Sequence, residues 1–477
     1  MPRRERNKFV KRNQVLELKI EDYAFGGKGI ARIHSEEGSF VVFVPNTLPG
    51  QLVKAQIKKS SKKYAEAKLI DVLQTSKDEV EVPFQDIPGA PYIQLPIELQ
   101  HQYKKESTLE LFKRIGKVAD IEDKFDEFIS SPSVHHYRNK MEYGFSAIRY
   151  DHDLKTDVDE FSLGFKKRGT WWCGENLDKD SGLFDKQVED NLKLIREFCE
   201  KSGLAPWHAP KREGFFRFLV VRKSFDSDEL LFNLVTTSPD LPKFDMDGFV
   251  TLFKELFGDR LAGILHTIND EIGDRTLSST GTSRLVYGKE KIVENLLGLN
   301  FEISMKSFFQ TNPKSAEKLY SKVVDYVMER QDTVDGKVVM DLFCGTGTIG
   351  QIVASRSKDA QSSSLICTYS QEPPSNSCSL NYGKTQYNCK AAESECFPMY
   401  IELQVCTVTS HPGTRVYLAL FQNFTGHLIV ITKINKNHKF DRVNETLFLD
   451  KYKYTLYTYI FIFFILFSYE EDEASNC

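Results

Sequence analysis

Long apolar runs are scarce in this chain, and so is cysteine over its first three quarters. Of nine cysteines only Cys173, Cys199 and Cys344 precede residue 363. Three scattered thiols make no disulfide framework, which favours a reducing compartment. No apolar segment follows the N-terminus, so no secretory leader is read there, and the cytoplasm is the expected location, with nucleus and organelle left open. The uncharged run Leu456–Phe467 has 12 residues, whereas a membrane-spanning helix needs about 20. No membrane partner is expected. A strong charge of one sign is also missing: the net is −4 over 477 residues, so bulk charge points to no class of partner.

That average hides seams. Residues 1–75 hold 15 Lys and Arg against 8 Asp and Glu, residues 76–362 hold 39 against 48, and residues 363–477 hold 9 against 11. Charged residues are 110 of the first 362 positions but 20 of the last 115, so at least three compositions share one chain. The length itself suggests roughly two to four domains.

In the basic first segment, five runs alternate apolar and polar positions: VLELKI (15–20), GIARI (29–33), FVVFVP (40–45), LVKAQIKK (52–59) and YAEAKLIDVL (64–73). Glycine turns separate them, and five short strands in this space predict a small barrel of the oligonucleotide-binding kind. The run Lys58–Lys63 (KKSSKK) lies on its fourth turn, and Arg3, Arg4, Arg6, Lys8, Lys11 and Arg12 form a basic arm before it. Residues 76–310 mix both periods and read as an α+β domain. Helices are expected over 100–117 and 186–202, and strands around 140–148, 215–221, 230–236 and 261–267.

From residue 311 the pattern changes again. A helix over 313–330 precedes the apolar run KVVM (337–340), which leads into DLFCGTGTIG (341–350) and the helical IGQIVASR (349–356). A buried strand, a glycine turn and a helix open a parallel α/β domain. Gly345-x-Gly347-x-x-Gly350 matches the dinucleotide fingerprint formally. That fingerprint also wants a carboxylate about 20 residues on, where this chain has Leu365, with Asp359 and Glu372 badly placed. Asp341, just before the glycines, suits a cationic methionine-like headgroup, while bare glycines admit an adenosine ribose. This is the logic of S-adenosylmethionine. After about residue 362 no βα rhythm follows.

DLFCGTGTIG, with SFFQTN (307–312) upstream, resembles the RNA (uracil-5-)-methyltransferase family, which makes 5-methyluridine in ribosomal or transfer RNA from S-adenosylmethionine. HYRNKMEYGFS (136–146) is similar to the family's YRNK segment, and GFFRFLVVR (214–222) to its G-x-x-R-x-L-x-x-R strand. The first 75 residues resemble the TRAM barrel that many members use for RNA contact, and the match runs in family order over about residues 10–360. The resemblance implies that Gln310, Phe343 and Thr348 line the cofactor site, with Asp341, Gly345 and Gly347 shaping the same loop. The basic run, the barrel, the basic arm and the resemblance together point to RNA contacts at Lys58, Lys59, Lys62 and Lys63, whereas Arg138, Lys140, Arg217 and Arg222 are read either as further contacts or as structural salt bridges.

The family's reaction needs a cysteine thiolate that adds to C6 of uracil, so that C5 attacks the methyl group, and a base that removes the C5 proton. The target base must also leave its stack. The family supplies these from Asp-Pro-Pro-Arg and Ser-Cys-Asn-Pro segments and a later Glu, none of which is found here. Glu372-Pro373-Pro374-Ser375 comes too soon after Asp341 to be the first, and every late cysteine lies in another context. Many bacterial members hold an iron–sulfur cluster through a C-x5-C-x2-C run. Ile87 and Ala90 stand where its paired cysteines would be, so neither a cluster nor any other metal is expected.

The expected protein is therefore multidomain α/β: a TRAM-like barrel over 1–75, a central α+β domain over 76–310, an incomplete Rossmann-like methyltransferase domain over 311–362 and an unrelated tail over 363–477. It would be a monomer that binds RNA and S-adenosylmethionine and lacks its catalytic half, as a splice event near the codons for 359–364 would produce. A non-catalytic RNA-binding protein is the alternative.

Overall fold

The computed structural model describes residues 9–35, 38–273, 275–276, 281–328, 339–342, 348–356, 364–366, 418–419, 429–432 and 462–465. The chain divides into two compact units, residues 1–293 with 311–315, and residues 294–310 with 316–477.

The first unit begins with a six-stranded sheet built from β1 (Val15–Lys19), β2 (Asp22–Ala24), β3 (Lys28–Ser35), β4 (Gly38–Pro45), β5 (Leu52–Ser60) and β6 (Tyr64–Gln74). Their order is β1-β5-β6-β4-β3-β2, antiparallel except for β4 against β6. Successive side chains of a strand point to opposite faces. In β5, Val53, Ala55 and Ile57 therefore enter the core while Lys54 and Lys58 face water. Val10, Leu18, Phe40, Val42, Val44, Ala65 and Ala67 complete that core. Gly26 and Gly27 turn between β2 and β3 at φ of 89° and 84°, and a Cβ on Gly27 would stand 2.7 Å from the Tyr92 hydroxyl. Only a residue without a side chain fits this turn. The three-residue β2 escapes the sequence pattern because it is too short to show alternation.

After α1 (Ile97–Arg114) and α2 (Ile121–Lys124) the same unit builds a second sheet. Its seven strands are β7 (Lys140–Asp151), β8 (Thr156–Lys166), β9 (Gly174–Asn176), β10 (Phe216–Lys223), β11 (Leu230–Thr236), β12 (Leu261–Ile268) and β13 (Ser283–Gly288). The order is β13-β12-β11-β10-β7-β8-β9. β11 and β12 run parallel and are joined by a crossover through α5 (Met246–Phe257). Phe249, Phe253 and Phe257 recur every four residues on α5, so they share one face; Phe253 and Phe257 pack on Phe232 of β11, and Phe249 packs on Phe253. Asp245 caps α5 by accepting from the Gly248 N–H at 2.9 Å. The helix expected over 186–202 is two pieces, α3 (Lys186–Asp190) and α4 (Leu192–Lys201), broken at Asn191.

The hairpin of β14 (Lys291–Leu296) and β15 (Leu299–Ser304) turns at Leu297 and Gly298, both at positive φ. Asn312 caps α6 (Pro313–Met328), accepting from the Ser315 N–H at 3.0 Å. In the second unit α6 buries Ala316, Tyr320, Val323, Val324 and Val327, one stripe at helical spacing. β16 (Val339–Leu342) is the middle strand of a parallel sheet between β17 (Ser364–Ile366) and β18 (Leu418–Ala419), and α7 (Thr348–Arg356) follows it. The sequence shows β16 without sheet partners. The structure supplies both from beyond residue 362, in segments of three and two residues that carry no periodic signal. β19 (Ile429–Thr432) pairs parallel with β20 (Ile462–Ile465), which lies inside the apolar run near the C-terminus. No helix among the described residues is long and apolar enough to cross a membrane.

Candidate functional site

Two sets of residues were singled out by the sequence, and they fall in different units. Gln310, Asp341 and Thr348 belong to the second unit; the lysines of the β5–β6 turn and the residues of β7 and β10 belong to the first.

In the second unit Asp341 is the last residue but one of β16, in register with Ile366 on one side and Leu418 on the other. The carboxyl end of a middle parallel strand is where open α/β sheets form their ligand crevice. Thr348 opens α7 and is buried, so a helix start lies next along the chain from the glycines. Gln310 is half-buried behind the buried Phe309, with Phe308 exposed before it. Phe343, Gly345 and Gly347 lie outside the described residues. By residue type, the carboxylate of Asp341 and the glycines that follow it in the sequence are the donor set that a methionine-like headgroup and a ribose require.

In the first unit Lys58, Lys59, Lys62 and Lys63 are all exposed around the β5–β6 turn. Lys58 donates to the Gln56 side chain, and Lys59 stands 3.4 Å from the Glu66 carboxylate and over the Tyr64 ring. Exposed pairs of this kind are worth little, so exchanging them for another partner costs little. Lys11 and Arg12 of the basic arm precede β1, while Arg3, Arg4, Arg6 and Lys8 are outside the described residues. Arg138 and Lys140 are half-buried at the start of β7. Arg138 Nε donates to the Lys140 carbonyl at 3.3 Å, and Lys140 Nζ lies 2.6 Å from Glu142.

Arg217 and Arg222 need correction as RNA contacts. They are 1% and 2% exposed, which keeps a phosphate away from both guanidinium groups. Arg217 donates to the backbone carbonyls of Asn269 at 2.8 Å, Glu271 at 2.6 Å and Gly273, and stacks 4.3 Å from the Trp207 ring. It pins a loop from below. Burial pushes the Arg222 guanidinium down to about 10, against the favourable charge of Glu142.

Two polar clusters were not found from sequence, because their members are far apart along the chain. Asp185 accepts from Lys223 and from Arg260, with Asp228 beside both. Burial opposes its ionisation, but the hydrogen bonds from Arg260 and Lys223 outweigh it and bring the carboxyl down to about 2. Glu189 accepts from the Ser181 N–H at 2.6 Å, the Ser181 hydroxyl at 2.8 Å and the Tyr143 hydroxyl at 3.1 Å. Burial still pushes it up to about 7.

Cys173 and Cys199 are buried free thiols. Burial pushes Cys173 up to about 12 and Cys199 higher still, the reverse of what activates a nucleophile. Ile87 and Ala90 are packed into the core of the seven-stranded sheet, and Arg168 donates to the Ile87 carbonyl at 2.7 Å. These two side chains offer no thiolate, so this loop does not fit an iron–sulfur cluster. Among the described residues no group of three or more His, Cys, Asp or Glu is placed to hold a metal ion.

Comparison with known proteins agrees with this assembly of parts. A model of the TRAM domain matches residues 10–70. An RNA methyltransferase of Clostridium tetani is 36% identical over 363 residues, covering 75% of this chain and 74% of its own length. One of Caldanaerobacter subterraneus is 34% identical over 347 residues, covering 72% of each chain. The crystal structure of a Pyrococcus abyssi tRNA (uracil-54, C5)-methyltransferase aligns with a TM-score of 0.49 at 23% identity, covering 71% of this chain and 70% of that one. The relatives define a class of enzymes that methylate RNA. This chain belongs to the RNA methyltransferase family.

Proposed function

We propose that this chain binds S-adenosylmethionine and RNA as an RNA (uracil-5-)-methyltransferase does, with C5 of a uridine in transfer or ribosomal RNA as the family's methyl acceptor. The reading rests on one observation above all: Asp341 stands near the end of the middle strand of a parallel sheet, and a glycine run separates it from the buried Thr348 at the next helix start. Gln310, Asp341, Phe343, Gly345, Gly347 and Thr348 would hold the cofactor, which supplies an electrophilic methyl group. The Asp341 carboxylate opposes a cationic headgroup, and the glycines let a sugar approach the backbone. Lys58, Lys59, Lys62 and Lys63 neutralise phosphates, with Arg138 and Lys140 as a second contact. The four-part division at residues 75, 310 and 362 and a monomeric state belong to the same proposal.

Chemistry at C5 needs a thiolate nucleophile, and this sequence holds no Ser-Cys-Asn-Pro segment. That absence favours the second reading, a non-catalytic RNA-binding protein that retains the TRAM and central domains. Photo-crosslinking the purified 477-residue chain to labelled S-adenosylmethionine, and then assaying label transfer to uridine-containing RNA, separates the parts. Crosslinking without transfer supports the proposal. Transfer shows that the nucleophile is present after all, and failure to crosslink sinks the cofactor site.

A further inference from the structure

The chain has three tryptophans, and the structure accounts for two of them. Trp207 is buried beneath the Arg217 guanidinium. Trp172 donates its indole N–H to Asp157 at 2.9 Å. Trp171 is 62% exposed and meets only the edge of the neighbouring indole, at 5.8 Å, among its described ring contacts. It sits on the turn between β8 and β9, and that turn is tightly built. Lys167 N–H donates to the Cys173 carbonyl at 2.9 Å, and Thr170 donates to the Lys167 carbonyl through both its N–H and its hydroxyl at 3.0 Å. Gly169, at φ +80°, has no heavy atom within 4 Å of where a Cβ would stand, so the outer side of the turn is open.

The three residues before that glycine are Lys166, Lys167 and Arg168, and no acidic residue occurs from 166 to 174. Arg168 is held by the Ile87 carbonyl and pairs with Asp86, and the Lys167 ammonium lies over the Tyr150 ring, so the segment leading into the indole's turn carries cations held in place. A flat ring presented to water on a rigid turn, with cations just before it in the chain, has the two elements of single-strand recognition: a face for a base and charge for its phosphates. An indole has lower conformational entropy to lose than a long polar chain, which suits it to such contacts.

We propose that Trp171 is a base-stacking platform for an unpaired nucleotide of the RNA, with Lys166 and Lys167 serving its flanking phosphates. The inference rests on the reading of the chain as an RNA binder and adds to it a contact remote in sequence from the β5–β6 lysines. It commits to RNA; a protein partner on the same indole is an alternative that the test separates.

The test uses the full chain, a fluorescein-labelled single-stranded oligouridylate of 12 nucleotides and a duplex RNA of the same length. Trp171→Ala is expected to weaken the single-strand complex about tenfold, Trp171→Phe to restore most of the loss, and neither to move the duplex affinity. The slope of affinity against salt should stay unchanged in Trp171→Ala, because stacking releases no counterions. Quenching of intrinsic fluorescence by the oligomer should be smaller in Trp171→Phe than in the parent. Equal single-strand affinity of parent and Trp171→Ala overturns the platform and leaves the RNA-binding function standing. No affinity of the parent for either RNA overturns both. A Trp171→Ala protein that binds RNA normally but changes its sedimentation shows a protein contact instead, and also overturns the proposal. Unchanged thermal melting of both variants confirms that the exposed ring is not a folding element.

Discussion

The lysines of the β5–β6 turn and the arginines of β10 carry the same charge, and the sequence gives no local sign that they differ. Their surroundings separate them. Lys58, Lys59, Lys62 and Lys63 sit where a strand ends and a turn begins, so all four side chains reach water. Arg217 and Arg222 interrupt the apolar run FRFLVVR on a strand buried on both faces, and both are pulled inside. The cation inside must be matched by carbonyls or acids of its own chain, whereas the cation outside keeps its contact with water. The first works for stability, and the second is the one proposed for binding.

The largest effect expected from breaking this division is at Arg217. Replacing it by Met leaves three carbonyls of the 269–273 loop without their charged donor and should cost about 3 kcal/mol or more. Urea melts would read that loss while the salt slope of RNA binding stays as it was. A normal melt with weakened RNA binding would reverse the assignment. The buried acids come next. Glu189 is held up to about 7 when folded, above the 4.5 of an ordinary Glu. The folded state therefore binds the extra proton, and stability falls as pH rises from about 4.5 to 7, by up to about 3 kcal/mol. Glu189→Gln should flatten that part of the profile. Asp185 has the opposite sign: held at about 2 against 3.8, it adds about 2 kcal/mol that is present above pH 4 and lost as pH falls through 2. Asp185→Asn should remove this acid-side step.

On the surface the expected change is in binding alone. Changing Lys58, Lys59, Lys62 and Lys63 to Gln together should lower the slope of log affinity against log salt by about 3, read by fluorescence anisotropy across a salt series. Melting should move by less than about 0.5 kcal/mol. The smallest effect tests the other unit. Gln310→Ala should weaken S-adenosylmethionine binding by about tenfold, measured by calorimetry, with the RNA salt slope unchanged.

Much of the fold is legible in the sequence where a segment has a clear period. The strands of the first sheet are marked by alternation, and α6 by its stripe from Ala316 to Val327. What stays hidden depends on sequence separation or on brevity. β2 has three residues, and β17 and β18 have three and two, too few to repeat anything. α5 carries Phe249, Phe253 and Phe257 at helical spacing, but its strongly apolar composition also suits a buried strand. Of the candidate site, Asp341 and the exposed lysines follow from local pattern, while Thr348 and Gln310 come only from the family resemblance. The burial of Arg217 depends on carbonyls more than fifty residues later, and Trp171 is singled out only by its exposure.

That separation also orders the assembly of the chain. The carbonyls that receive the Arg217 guanidinium lie 52 to 56 residues further on. At ribosomal speeds of about 5–20 residues per second, β10 waits roughly 3–11 seconds for them. Until then a cation in an apolar strand has no acceptors and opposes its own burial. Burial of Arg217 is thereby tied to the emergence of residue 273, ahead of the edge strand β13 (Ser283–Gly288): β10 settles only when the strand and loop that follow α5 have left the ribosome.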